Sequence, residues 1–211
     1  MADVTKATPL EEVPWCAALI NASNIVTFVP PSHAAKDGVE SSSQDQLFAR
    51  QLRNNEAIPR CLGFYQDPEH LPSRAAASGL PFLLSSCSLI FDLRPGVNGY
   101  NGTVHGGLIV ALMDESMGAY LVMNDKLHKQ KKADGLLPPN SKGFEDVGFA
   151  TARMDTRLIK PIRTPQIVVV TSYLVEVNGR KVHFRVIVKG EKGQEYATCN
   201  GTWISFPRGK L

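Results

Sequence analysis

The sequence predicts an α+β domain in which an antiparallel sheet curls around one buried helix, and three observations predict it. From residue 106 to about 124 the chain is apolar or small on every side except at Asp114 and Glu115, the pattern of a helix without a solvent face. β-rich runs follow at 150–159, 167–177, 181–189 and 194–206. Asn178-Gly179 lies between two of them, the strongest short hairpin signal there is, and Gly190 and Gly193 bracket the next turn. A helix that must be covered and a run of hairpin-linked strands satisfy each other when the sheet wraps the helix.

Taken in order, residues 1–80 read as an irregular extension rich in Pro, Ser and polar side chains that packs on the core. Within it, 44–54 suggests a short helix with Leu47, Phe48 and Leu52 as an apolar stripe, and 58–65 a short packing segment. The main domain is expected over 81–211, opening with a strand at 85–93 and a Gly/Asn turn cluster at 98–103. After the helix, residues 126–147 read as a polar loop insertion carrying Lys126, Lys129, Lys131 and Lys132, more simply solvated than ligand-binding.

Composition narrows the classes. A formal charge of +3 over 211 residues, without a basic stripe or nucleic-acid module, gives no expectation of a nucleic-acid partner. No uncharged run reaches the length of a transmembrane helix, so membrane insertion is not expected. Cys16, Cys61, Cys87 and Cys199 are widely spaced with no CxxC pair, which points away from zinc or a disulfide framework and toward a reducing compartment. The N-terminus lacks an apolar signal core, and Glu11 and Glu12 do not fit an Arg-rich transit peptide, so a cytoplasmic protein is expected. Gly209-Lys210-Leu211 nears the Ser-Lys-Leu peroxisomal address but carries Gly in its first position, and is read as coincidence.

The chemistry concentrates on the helix. An unpaired buried carboxylate is costly, so Asp114 and Glu115 need a reason to be there. Adjacent helical residues project ~100° apart, which predicts that only one of them faces a given cleft. Structural ion pairs with Arg153, Arg157 or Lys160 are the plain alternative. At the helix start, His105-Gly106-Gly107 follows the turn cluster. The glycines let another group approach the free first-turn N–H groups, whose dipole end suits a carbonyl oxygen that is becoming an oxyanion. His105 is expected to fix the turn rather than act as a base.

Asp114 lies nine residues after His105, ~13 Å along the axis. One chain cannot bring both ends to the same reacting atoms, whereas two antiparallel helices at a two-fold interface can. If the two act together, the protein is at least a dimer.

Thr103-Val104-His105-Gly106-Gly107-Leu108-Ile109-Val110-Ala111-Leu112-Met113-Asp114-Glu115, with Gly118 beyond, resembles the PaaI-type hotdog thioesterases. Residues 151–161 resemble that family's next strand, so the likeness covers about 85–206, and 58–65 is similar to fungal members. The resemblance implies a hotdog fold, dimers or tetramers, an acyl-CoA or acyl-carrier thioester as small-molecule substrate, and no cofactor beyond the coenzyme A of the substrate. It implies Asp114 as general base or nucleophile, Gly106 N–H on the thioester carbonyl, and Thr151 placing the water, with His105, Gly107, Asn101 and Glu115 in support. Asn98, Arg157, Lys160, Arg163 and Lys181, with Arg153, are candidates for substrate and CoA contacts. One departure stands out: Gly99 occupies the position where many members carry Asn or Gln, with Asn98 and Asn101 nearby as substitutes. A hydratase or dehydratase of the same fold is disfavoured because no close His/Asp pair is evident. A non-catalytic acyl-CoA or acyl-carrier binder is the other alternative, and a Ser-His-Asp hydrolase lacks its GxSxG elbow.

Overall fold

The computed structural model describes residues 9–34, 45–68, 82–138, 141 and 143–208. In chain order these form helix α1 (Pro14–Ile20), strands β1 (Ile25–Phe28), β2 (Cys61–Gln66), β3 (Ser86–Leu93), β4 (Asn98–Tyr100) and β5 (Thr103–Val104), then helix α2 (Gly106–Ala133). Strands β6 (Val147–Leu158), β7 (Gln166–Asn178), β8 (Lys181–Lys189) and β9 (Glu195–Pro207) complete the chain. Seven strands build one sheet in the order β1-β2-β3-β7-β8-β9-β6, every neighbouring pair antiparallel, while β4 and β5 form a separate small hairpin. The sheet wraps α2, which is the hotdog arrangement.

Strand alternation explains the wrap. Leu89, Phe91 and Leu93 of β3, Val168 and Val170 of β7, and Phe184 and Val186 of β8 share one core cluster with Leu112, Met113, Met117 and Tyr120 of α2, all buried. Three buried polar side chains of this helix are bonded across to the surrounding chain, whereas the ring nitrogens of buried His128 meet no partner among the described residues. Ser116 Oγ donates to the Val170 carbonyl at 3.1 Å, and Tyr120 Oη to the Leu84 carbonyl at 2.6 Å. Asn124 Oδ1 accepts from the Leu83 and Leu84 N–H groups at 2.7 and 3.1 Å. Partners of this kind are what make buried polar atoms affordable in a core, and they fix the helix in rotation and depth. The opposite face of the sheet carries its own small cluster, in which Cys16 and Ile20 of α1 pack with Leu10, Leu62 and Ile90.

Several expectations are amended. The helix does not stop near residue 124 but runs to Ala133, so the loop after it begins later than 126. The Lys-rich stretch is helical because Leu127 and His128 are buried while Lys129 pairs with Asp125 one turn back at 2.7 Å. Gly135, at φ +72°, ends it. Lys131 pairs with Asp67 at 3.3 Å, and Lys132 donates to the Ser141 carbonyl at 3.2 Å. Nor is α2 covered on every side: Gly107, Ala111, Asp114, Gly118 and Val122 form a stripe that the sheet leaves exposed or half-buried. Near residue 48 the chain makes a π-helical turn over Leu47–Leu52 that buries Phe48 and exposes Leu47, so the anticipated stripe is incomplete. The 58–65 segment contributes β2, which pairs with β3, and β1 extends the sheet beyond it. Gly209-Lys210-Leu211 lies outside the described residues.

At the other end of the sheet, β6 pairs with β9, and among the described residues its second edge is open over twelve residues. Its register slips between Thr151 and Arg153, which face consecutive β9 residues Trp203 and Thr202, so Ala152 is the extra residue of a β-bulge.

Candidate active site

The candidate residues fall at two places on α2, its start and its middle. His105 is the N-cap, and its side chain Nδ1 accepts the Gly107 N–H at 3.0 Å. The ring is thereby committed to holding the turn. A Cβ at 107 would lie 3.0 Å from His105 Cε1 and 3.1 Å from Nδ1, so any larger residue would push the ring by a few tenths of an ångström. Leu108 and Ile109 N–H groups both bond the His105 carbonyl, at 3.0 and 3.2 Å. Among the described residues no acceptor meets the Gly106 N–H, so the first helical donor, at the positive end of a 28-residue dipole, is open.

The turn before it explains the departure at Gly99. A Cβ on Gly99 would stand 2.6 Å from His105 Cδ2 and 2.8 Å from His105 Cα, so Asn or Gln has no room there. Asn98 Oδ1 accepts from Thr164 Oγ1 at 2.7 Å, while Asn101 is exposed at the tip of the turn.

Eight residues further along α2, Asp114 is half-buried and Thr151 Oγ1 donates to its Oδ1 at 2.6 Å. Thr151 continues the inward alternation of Val147 and Phe149, and the bulge at Ala152 follows it directly. Burial pushes the Asp114 carboxyl above its usual range, and the Thr151 hydrogen bond partly pulls it back. Glu115 is raised too, first by burial and then by Asp45 and Asp114, against the lowering hydrogen bond from Ser32. Among the described residues neither acid forms an ion pair with Arg153, Arg157 or Lys160.

Contrary to the expectation from their ~100° separation, both acids line one cavity of about 570 Å³. Its wall also includes Gly118 and Val122 of α2, Phe149 of β6 and Trp203 of β9, together with the charged Asp45, Asp125 and Arg208. Ser32, from the extension, also lines it, and sequence reasoning missed this residue entirely. Nothing near Pro30-Pro31-Ser32-His33 marks it except a turn-forming composition.

The basic candidates divide. Arg157 and Lys160 are exposed at the β6 end beside the helix start, where Leu158 Cδ1 lies 3.1 Å from a Cβ built on Gly106. Arg163 forms an isolated bridge with Thr103 in the same region. Lys181 begins β8 opposite Ile204, itself opposite Ala150, so it sits at the far end of the sheet, seven β6 residues or ~23 Å from Arg157. Among the described residues no group of three His, Cys, Asp or Glu side chains converges as a metal ion would need.

Residues 101–197 match the model of the thioesterase superfamily. Over 196 residues the chain is 30% identical to Verlamelin biosynthesis protein B of a Lecanicillium species, covering 87% of this chain and 82% of that protein. Similar solved structures include a hypothetical thioesterase protein with coenzyme A from Streptococcus pneumoniae, 11% identical, TM-score 0.46, covering 58% of this chain and 80% of that one. A thioesterase superfamily protein, 22% identical, has a TM-score of 0.44 over 57% of this chain and 49% of the other. A Streptococcus mutans protein bound to acetyl CoA, 15% identical, has a TM-score of 0.46 over 58% and 82%.

Proposed function

This chain belongs to the thioesterase superfamily, and on that premise we propose that it hydrolyses an acyl thioester of coenzyme A or an acyl carrier to the free acid and thiol. The observation that carries the proposal is the 2.6 Å hydrogen bond from Thr151 to Asp114, an acid that lines a cavity with an apolar side (Leu121, Val122, Phe149, Trp203) and a charged one (Asp45, Asp125, Arg208). A carboxylate so placed has a hydroxyl partner, a raised proton affinity that suits a general base, and space for an acyl group beside it.

In this reading the Gly106 N–H holds the thioester oxygen as charge develops on it. Asp114 takes a proton from water as its oxygen attacks the carbonyl carbon, and Thr151 orients that water. The tetrahedral intermediate collapses with cleavage of the C–S bond, and the protonated Asp114 returns its proton to the departing sulfur. Gly106 and Asp114 are eight residues apart on one helix, ~12 Å, so each site takes the Gly106 of one protomer and the Asp114 of the partner subunit. The open stripe of α2 and the unpaired edge of β6 support such a dimer, since both leave apolar or hydrogen-bonding surface that a second copy would cover. Arg157, Lys160 and Arg163 lie at the helix-start end, where phosphates of a CoA thioester would find positive charge.

The direct test is thiol release from short, medium, long and aromatic acyl-CoAs by wild type and Asp114→Asn, both checked for folding and oligomeric state. A fall of at least ~10²-fold in kcat for the variant is expected of positioned acid–base chemistry. Turnover that survives the substitution would remove Asp114 from the mechanism, and wild type inert toward the whole panel would remove CoA hydrolysis.

A further inference from the structure

A second cavity, of about 500 Å³, lies away from Asp114. Its walls come from α1 (Trp15), the approach to β2 (Arg60), the end of β3 (Asp92, Arg94), the start of β7 (Gln166, Ile167) and the β8–β9 turn (Lys192). Alternation along β3 places it on the far side of the sheet from α2. Leu89, Phe91 and Leu93 belong to the cluster around that helix, whereas Ile90 belongs to the cluster under α1, and Asp92 shares its face.

The charge arrangement here is unbalanced. Asp92, 2% exposed, presents one oxygen, Oδ2, to two guanidinium groups: Arg60 Nε and Nη2 donate to it at 2.9 and 2.7 Å, and Arg94 Nη2 at 2.8 Å. One carboxylate neutralises one of the two cations. Glu191 and Lys192 offset each other on the exposed turn, so the cavity retains a net positive charge. Arg60 Nη1 is buried and, among the described residues, meets no acceptor. A buried carboxylate is neutralised by a single arginine, so the second guanidinium held on the same oxygen leaves surplus positive charge facing the cavity, which favours an anion there. Trp15 and Ile167 supply an aromatic and an aliphatic wall next to that charge.

We propose that this cavity is a second binding site, for a small organic anion whose carboxylate or phosphate group meets the Arg60–Arg94 pair and whose body packs on Trp15. Its volume falls in the range of metabolite-sized sites. Planar, always-charged guanidinium groups pre-held by Asp92 are suited to a forked oxyanion. The α1 segment, which builds the Trp15 wall, is thereby given a task distinct from the chemistry at Asp114.

Calorimetric titration of the full chain at fixed ionic strength tests this with three probes: inorganic phosphate, adenosine 3′,5′-bisphosphate and hexanoate. At least one is expected to bind wild type and Asp114→Asn alike. Arg94→Gln, which leaves Asp92 its Arg60 partner, is expected to weaken that binding roughly tenfold or more, the scale of one charge-assisted hydrogen bond. Lys192→Ala, on the exposed turn, is expected to weaken it severalfold and serves if Arg94→Gln fails to fold. Preference for the bisphosphate would identify the nucleotide end of a CoA thioester as the source, and preference for hexanoate a free acid of the kind hydrolysis releases. The proposal is overturned if no probe binds, if binding is lost in Asp114→Asn, or if the folded Arg94 or Lys192 variants bind as wild type does.

Discussion

Gly99 and His105 are in such close contact that a Cβ on the glycine would meet the backbone of the histidine at 2.8 Å. The residue that caps α2 is therefore held from behind by a position that tolerates no side chain. Gly99→Asn, which would install the amide that the family resemblance leads one to expect there, is expected to destabilise the fold by about 1–3 kcal/mol, the range for overpacking a tight site. Thermal unfolding with the activity assay checks this; an unchanged Tm together with higher activity would show that the turn can rearrange to accept the amide.

Gly106→Pro separates the donor from the helix. Residue 106 is the first helical position after the His105 cap, where proline is tolerated, and His105 already has the extended backbone (φ −61°, ψ 131°) that a following proline requires. The variant should keep its helical circular dichroism and lose at least ~10²-fold in kcat, as for other oxyanion donors.

The proposed sharing of each site between two protomers makes a mixing prediction. Gly106→Pro and Asp114→Asn homodimers are each inactive at both sites, but a mixed dimer carries one intact site. Refolding the two variants together should restore about a quarter of wild-type sites. No recovery in a verified mixed dimer would mean that the two residues do not act across an interface.

Thr151→Val deletes the hydrogen bond that favours the ionised form of Asp114. Burial already raises that carboxyl, so its proton affinity rises further in the variant. A base must be deprotonated to act, and the acidic limb of the kcat/KM profile is therefore expected to move to higher pH. A limb that stays in place would exclude Asp114 as the titrating base.

Glu115 gives a stability test with the opposite sign to the common paired carboxylate. Its folded proton affinity is above that of the unfolded chain, whose value is near 4.5, so the native state binds more protons across that window. Stability should fall as pH rises from about 4.5 through the folded value. Glu115→Gln should raise the Tm at neutral pH, and the gain should vanish below the unfolded value.

Much of this architecture was legible beforehand, for reasons tied to particular residues. The α2 core announced itself because an apolar surface interrupted only by Asp114 and Glu115 has no soluble alternative. The β7–β8 hairpin did so because Gly179, at φ +57°, occupies a turn that few other residues accept. Strand β2 was less visible: Cys61-Leu62-Gly63-Phe64-Tyr65-Gln66 has no β-branched residue and a central glycine, and its pairing with β3 supplies what propensity does not. The last two turns of α2 were hidden by their lysines, whose stems and charges are answered by Asp125, Asp67 and the Ser141 carbonyl. At the site, the distance between Gly106 and Asp114 could be read from helix geometry alone. Ser32 could not, since its approach to the cavity depends on tertiary packing of a segment without periodicity.

The bulge at Ala152 has a consequence for β6 as a whole. Before it, the odd-numbered Val147, Phe149 and Thr151 turn toward α2, whereas after it the even-numbered Met154 and Leu158 do. The strand is thus two half-strands of opposite phase joined at one residue. An unbroken two-residue pleat through this sequence could turn only one half inward, bringing either Thr151 to Asp114 or Leu158 to Gly106, but not both.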